Sequence, residues 1–241
     1  MFSIFKKEFR SFFGAATGYV VIGIFLLLNG LFLWVIPGEY NVLDNGYANV
    51  DGLFLLAPWL FLFLCPAVTM RMFAEERLSG TWELLQTKPL SMWAIAGGKY
   101  LSTLAVSLLA LLPCVIYYFS VYYLAEPLGN VDSGAFWGSF IGLILLAAAY
   151  LAIGILAAAL GSNQIISFIL AALLCFFMLY GFDLLSAFCG ENAFADTVES
   201  FGIQAHYTSV SRGVIDSHDI IYFTALIFIF LWLTVERLKK K

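Results

Sequence analysis

Six apolar stretches, each long enough to cross about 30 Å of hydrocarbon, cut this sequence into short connections, and Lys and Arg are confined almost entirely to alternate ones. The stretches run from Thr17 to Ile36, Leu53 to Met72, Tyr100 to Leu124, Phe136 to Leu160, Ile165 to Phe188 and Ile220 to Val235. Of the 12 basic residues, Lys6, Lys7, Arg10, Arg71, Arg77, Lys88, Lys99, Arg237, Lys239, Lys240 and Lys241 fall on one side, and Arg212 alone falls on the other. Short loops rich in Lys and Arg stay in the cytoplasm, so both termini and the connection after the second span are predicted to be cytoplasmic. The opposite side is acidic, with Glu39, Asp44, Asp51, Glu126, Asp132, Glu191, Asp196, Glu199, Asp216 and Asp219. The net charge of −4 is therefore a sum over two unlike faces. The overall charge thus says little about partners; the spans imply the lipid bilayer, and no nucleic acid is expected.

A soluble domain needs about twice the 12% of charged residues present here. With 62% hydrophobic residues and a mean hydropathy of +0.93, the chain is expected to be one all-α polytopic domain over residues 1–241. The first fifteen residues are charged and lack a small-residue cleavage pattern, so the first span is expected to stay as an anchor. Cys65, Cys114 and Cys175 lie inside spans and Cys189 lies where the fifth ends, which suits small apolar residues better than a metal or redox site. His206 and His218 lack zinc-like companions and are expected to be solvated or to cap helices.

Before the first span, Phe2, Phe5, Phe9, Phe12 and Phe13 recur at steps of three and four, while Ser3, Lys6, Lys7 and Arg10 take the other side. Residues 1–16 thus read as an amphipathic helix in the membrane interface, able to pack against a partner. The second span runs on through Arg71, Glu75, Glu76 and Arg77 until Ser79, Gly80 and Thr81 break it. A short run follows in which Leu78, Trp82 and Leu85 keep a 4,3 spacing, with Glu83 and Leu84 beside them, and Pro89 closes it. Ser91 can cap the next helix, which enters the membrane near Lys99. Residues 73–99 should therefore jut out as helix, sharp turn, short helix and return. Its apolar edge must fold onto the bilayer interface or be covered by a protein, and a protein is the stronger reading.

Gly134, Gly138 and Gly142, four apart, open a span rich in small residues and mark close helix packing. Gly161, Ser162 and Asn163 make a tight turn into the fifth span. The connection 189–219 is long for a loop. Its apolar pieces, 194–198 and 201–210, are too short to cross and could dip back into the membrane beside the bundle. Asp183 is the one acid predicted within a span; local hydration is the first reading, a place on a proton or substrate pathway the second.

No P-loop pattern occurs: Gly98 and Lys99 are followed by Tyr100. The histidines lie away from membrane depth and no H-E-x-x-H is present, so catalysis is not expected, although a lipid-modifying site built from isolated Asp, Glu or His stays open.

The run from Ala74 through Glu75, Glu76, Arg77, Leu78, Ser79, Gly80, Thr81, Trp82, Glu83, Leu84 and Leu85 to Leu90, set among six spans with Gly98-Lys99 leading into the third, resembles the ABC transporter type-2 permeases. The text His206 to Asp216 followed by Asp219 to Phe223 resembles, more narrowly, the gliding-motility-associated permease subunits among them. The resemblance implies that Thr81 to Thr87 is a coupling helix docking on a separate ATP-binding subunit, oriented by ion pairs from Glu75, Glu76, Arg77 and Glu83. The Phe-rich N-terminal helix would be the connecting helix beside it. ATP would bind to that partner and no cofactor to this chain. It also implies a second permease subunit, identical or related, and export across a bacterial inner membrane. An envelope scaffold that transports nothing and an ion-driven transporter using Asp183 are the alternatives. The last is the weakest, since no paired buried charges or broken helices are evident.

Overall fold

A chain this apolar has to satisfy its backbone polar groups internally, and helices do so segment by segment. The computed structural model describes residues 1–189 and 193–240, and among these it contains helices and no strand. Glu191, Lys241 and the side chain of Cys189, which entered the sequence reading, lie outside the described residues. Helix α1, Phe2–Gly14, precedes the first span, α2, Ala16–Trp34. The second span is α3, Asp51–Thr69, continued past Met70 by α4, Arg71–Leu78, and followed by the short α5, Thr81–Gln86. The third joins α6, Met92–Leu111, to α7, Val115–Leu124, through a 3-10 turn at Leu112–Cys114. The fourth is α8, Ser133–Leu160. The fifth joins α9, Gln164–Phe176, through a π-helical segment, Phe177–Gly181, to α10, Phe182–Cys189. Helices α11, Ala193–Glu199, and α12, Ile203–Val210, lead to the last span, α13, Ser217–Lys239.

Six of these helical units are long and apolar enough to cross a membrane, as the hydropathy pattern predicts. Several overrun their apolar stretch because polar caps start them early. Ser91 Oγ accepts from the Ala94 N–H (3.2 Å), Asp132 Oδ1 from Ala135 (2.9 Å), Asn163 Oδ1 from Ile166 (2.8 Å) and Asp216 Oδ1 from His218 (3.2 Å).

Helix α8 is the axle, packed against α3, α6, α9 and α13. Its small residues allow this: a Cβ on Gly154 would collide with the Thr69 side chain of α3. The expected glycine seam is displaced, however. Gly138 admits Gly213 of the connection after α12 and Gly142 admits Val210 at the end of α12, neither of them another span, and Gly134 faces Asp132 of its own cap. A four-residue spacing says which side of a helix is smooth but not what lies against it.

Proline has a further effect in α3. Pro58 has no N–H, which frees the Phe54 carbonyl one turn back, and the Tyr207 hydroxyl donates to it at 2.7 Å. With Ile203, Tyr207 and Val210 buried and Ser139 Oγ donating to the Ser211 carbonyl (2.8 Å), the connection between spans five and six is folded onto α3 and α8. His218 is exposed, whereas His206 is half-buried and engaged by its neighbours. The His206 ring stacks on Tyr222 at 3.9 Å, with Nδ1 2.7 Å from Asp219 Oδ1 and Nε2 3.0 Å from the Ser200 carbonyl. Cys65, Cys114 and Cys175 are buried free thiols.

Candidate functional site: a buried charge cluster behind a short exposed helix

Helix α4 prolongs α3 beyond the apolar stretch until Gly80, in the left-handed region at φ 69°, reverses the chain. The Ser79 and Gly80 N–H groups close the helix end on the Glu75 and Arg77 carbonyls at 3.0 and 3.3 Å. Helix α5 then begins at Thr81, with Thr81, Glu83 and Leu84 exposed. The predicted edge of Leu78, Trp82 and Leu85 does not form. Leu78 and Leu84 are 73% and 63% exposed, while Trp82 and Leu85 are half-buried against the core. The break at Gly80 interrupts the 3.6-residue register, so spacing counted across it does not define one face. Trp82 meets Phe73 edge-on, with centroids 5.7 Å apart.

Behind Phe73 lies Lys99, in the second turn of α6 and fully buried. Its Nζ is 2.8 Å from Glu8 Oε1 of α1 and 3.0 Å from Glu76 Oε2 of α4, and it donates to the Met72 carbonyl. The ammonium thus donates to Glu8 Oε1 and the Met72 carbonyl and is ion-paired to Glu76 Oε2. The Phe73 ring centroid lies 5.0 Å from Nζ. Lys7 Nζ completes the cluster, 2.6 Å from Glu76 Oε1 and 3.4 Å from Glu8 Oε1. Burial works against the Lys7 charge, but the hydrogen bond to Glu76 and the fields of both carboxylates hold its ammonium above its ordinary pKa. Two carboxylates and two ammoniums leave the cluster neutral, the condition under which buried charge is tolerable. Gly98 lets α1 come this close, because a Cβ there would press on the Met1 carbonyl and the Ile4 side chain at 2.9 and 3.0 Å.

Arg77 and Arg71 extend the joint. Arg77 Nη2 donates to the Ala159 carbonyl at 2.6 Å and Nη1 to that of Gly161, which satisfies the last turn of α8. Arg71 pairs with Glu75 at 2.5 Å and donates to the Thr17 hydroxyl of α2. Helix α4 is thereby bonded to α1, α2, α6 and α8. The cluster leaves none of its four charges unpaired, so it suits holding elements together and not acid or base chemistry.

These contacts redistribute the residues singled out from sequence. Glu76 and Arg77 are engaged within the fold, and Glu75 is paired to Arg71. In α1 the buried face is Ile4, Glu8 and Phe12. Phe2, Phe5, Phe9 and Phe13 form a row of ring contacts at 6.0, 5.8 and 5.0 Å, with Phe2 exposed and the others half-buried, and Lys6 and Arg10 are exposed. Asp183 sits at the start of α10 beside Gly202, its Oδ1 buried without a hydrogen-bond partner among the described residues.

Glu8 and Lys99 are the residues that sequence reasoning missed as a pair. The available signals were weak: one acid four residues from Ile4 and from Phe12, and one Lys behind two glycines. Paired buried charges and interrupted helices are both present, which removes the two sequence arguments against an ion-driven transporter. The charge pairs lie at the end of the bundle, however, not midway along it.

The sequence model of the ABC-2 family transporter proteins matches residues 35–235. The match takes in Glu76 and Lys99 but not α1 with Lys7 and Glu8. No curated protein matches the chain.

Proposed function

The chain belongs to the ABC-2 family transporter proteins and is a membrane permease subunit of an ABC transporter, and from that premise we propose that α5 is the helix on which a separate ATP-binding subunit pulls. The observation that carries this reading is the contrast within residues 73–99. A small exposed surface of Leu78, Glu83 and Leu84 is mounted on Trp82, Phe73 and the Lys99 cluster, which tie it to α1, α4 and α6. An exposed apolar patch rimmed by charge marks a protein contact, and a rigid mount transmits displacement into the second and third spans.

In this reading α1 is the connecting helix, with its row of phenylalanines in the membrane interface and Lys6 and Arg10 toward water. Both termini are cytosolic in a bacterial inner membrane, ATP is bound by the partner, and a second permease subunit, identical or related, completes the pathway. The contact of Val210 with Gly142, about 14 Å along α8 from its first residue, supports a connection that dips into the outer leaflet. Export rests on the resemblance to the type-2 permeases, and a gliding-motility role on that of residues 206–216 and 219–223.

The test is affinity purification of the tagged chain from its native membranes, followed by assay of ATP hydrolysis in the recovered complex. Leu84→Asp is expected to lower recovery of the ATP-binding subunit about tenfold with the melting temperature unchanged. Undiminished recovery and hydrolysis would remove α5 from the contact.

A further inference from the structure

Away from the termini the bundle holds an open cavity of about 810 Å³ between the α2–α3 connection, α3, the start of α8, the π-helical segment and α12. Its walls combine features that no core requires. Trp59 of α3 is exposed and stacks on Tyr180 with centroids 5.0 Å apart and planes 27° from parallel. The π-helical turn in span five places Tyr180 there, and such irregularities gather at functional positions. Glu39, Asp51 and Asp132 reach the cavity against one cation, Arg212. Asn49 donates to Asp51 Oδ2 at 2.7 Å and keeps its own buried Oδ1 without a hydrogen-bond partner among the described residues.

A second space, an apolar groove of about 210 Å³, lies further along the same helix. Leu60, Phe63 and Leu64 of α3 form its floor, with Phe25 and Leu28 of α2 and Phe168 of α9 as walls. Spans two and five contribute to both spaces; the α2–α3 connection, the start of α8 and α12 close the first, and α2 closes the second. Leu55, Trp59 and Phe63, four apart, are exposed along one stripe of α3, a helix otherwise largely buried. From Leu55 to Ala67 the stripe covers about 18 Å, slightly more than the ~15 Å of hydrocarbon in one leaflet.

We propose that this furrow binds an amphiphile, with its hydrocarbon chain along Leu55, Trp59 and Phe63 and an ammonium-bearing head group in the cavity. The excess of carboxylates selects a positive head over a negative one, and the Trp59 and Tyr180 rings offer faces to a desolvated cation. Any hydrocarbon fills an apolar groove, so head-group selectivity is the distinguishing property. The inference concerns binding alone and does not rest on coupling to an ATP-binding subunit.

The full chain in maltoside micelles is photolabelled with three diazirine-bearing probes that share one tail: octadecylamine, octadecanol and octadecanoic acid. The amine is expected to label residues 55–67 about tenfold more than the acid, with unlabelled octadecylamine competing far better than octadecanol. Glu39→Gln combined with Asp51→Asn should reduce amine labelling about fivefold at an unchanged melting temperature. Equal labelling by the three probes, or competition by octadecanol as strong as by octadecylamine, overturns the proposal without using any variant. Unchanged amine labelling of the folded double variant overturns it as well. No ATP-binding subunit is present, so either failure leaves the reading of α5 untouched.

Discussion

At the end of the bundle that carries the termini, Lys7, Glu8, Glu76 and Lys99 lie in ion-pair contacts of 2.6 to 3.4 Å and Arg77 clasps the end of α8. At the opposite end, neutral bonds such as Tyr207 to Phe54 and Ser139 to Ser211 hold the connection between spans five and six, beside an open cavity of about 810 Å³. The first arrangement is stiff: Glu8, Glu76 and Lys99 are each costly to bury alone, so these three move together or not at all, with the exposed Lys7 bound at their edge. The second can rearrange at lower cost, because a hydroxyl-to-carbonyl bond is worth about 0.5–1.5 kcal/mol net. A device driven from one end and opening at the other benefits from that division.

The contrast is broken most directly at Lys99. Lys99→Met leaves the buried Glu8 and Glu76 carboxylates to share the single ammonium of Lys7 and should lower stability in detergent by about 3–5 kcal/mol, read by chemical unfolding. Adding Glu8→Gln and Glu76→Gln should return much of that loss, since the penalty comes from unpaired charge and not from the missing ammonium. A loss below about 1 kcal/mol for Lys99→Met would mean that the cluster is hydrated and the stiffness argument wrong. Arg77→Ala comes next. It should cost about 1.5–3 kcal/mol for the charged hydrogen bonds removed and speed amide hydrogen exchange around residues 159–165, while exchange in α11 and α12 stays as it was.

Tyr207→Phe sharpens the comparison from the other end. It leaves the Phe54 carbonyl, already deprived of a helical partner by Pro58, unsatisfied, at about 1–3 kcal/mol. The increase in exchange should be confined to α12 and its neighbours. Leu84→Ala is the smallest change: within about 0.5 kcal/mol of the parent in stability, yet lower in recovery of the ATP-binding subunit. If it unfolds the chain, Leu84 is part of the core and not of a docking surface.

How much of this was legible in advance depended on distance along the chain. The turn at Gly80, the cap at Ser91 and the short helix after Thr81 depend on chemistry within a few residues, and each forms where the pattern predicts. Glu76 reads from sequence as a surface acid because the residue that neutralises it, Lys99, comes from another helix, and Glu8 is 91 residues from Lys99. The face on which Trp82 lies was lost for a related reason: a glycine in the left-handed region resets the register, and hydrophobic spacing does not reveal by how much.

By itself, then, the sequence determined the six spans, the segregation of Lys and Arg and the break at Gly80, because hydropathy, charge and backbone preference act locally. Tertiary structure alone decided which charges are buried together, that Gly138 and Gly142 receive the connection after α12 and the end of α12 itself, and that Trp59 meets Tyr180 in a furrow. Those outcomes depend on which helix faces come together, and burial makes an ion pair or a ring contact count only once they have.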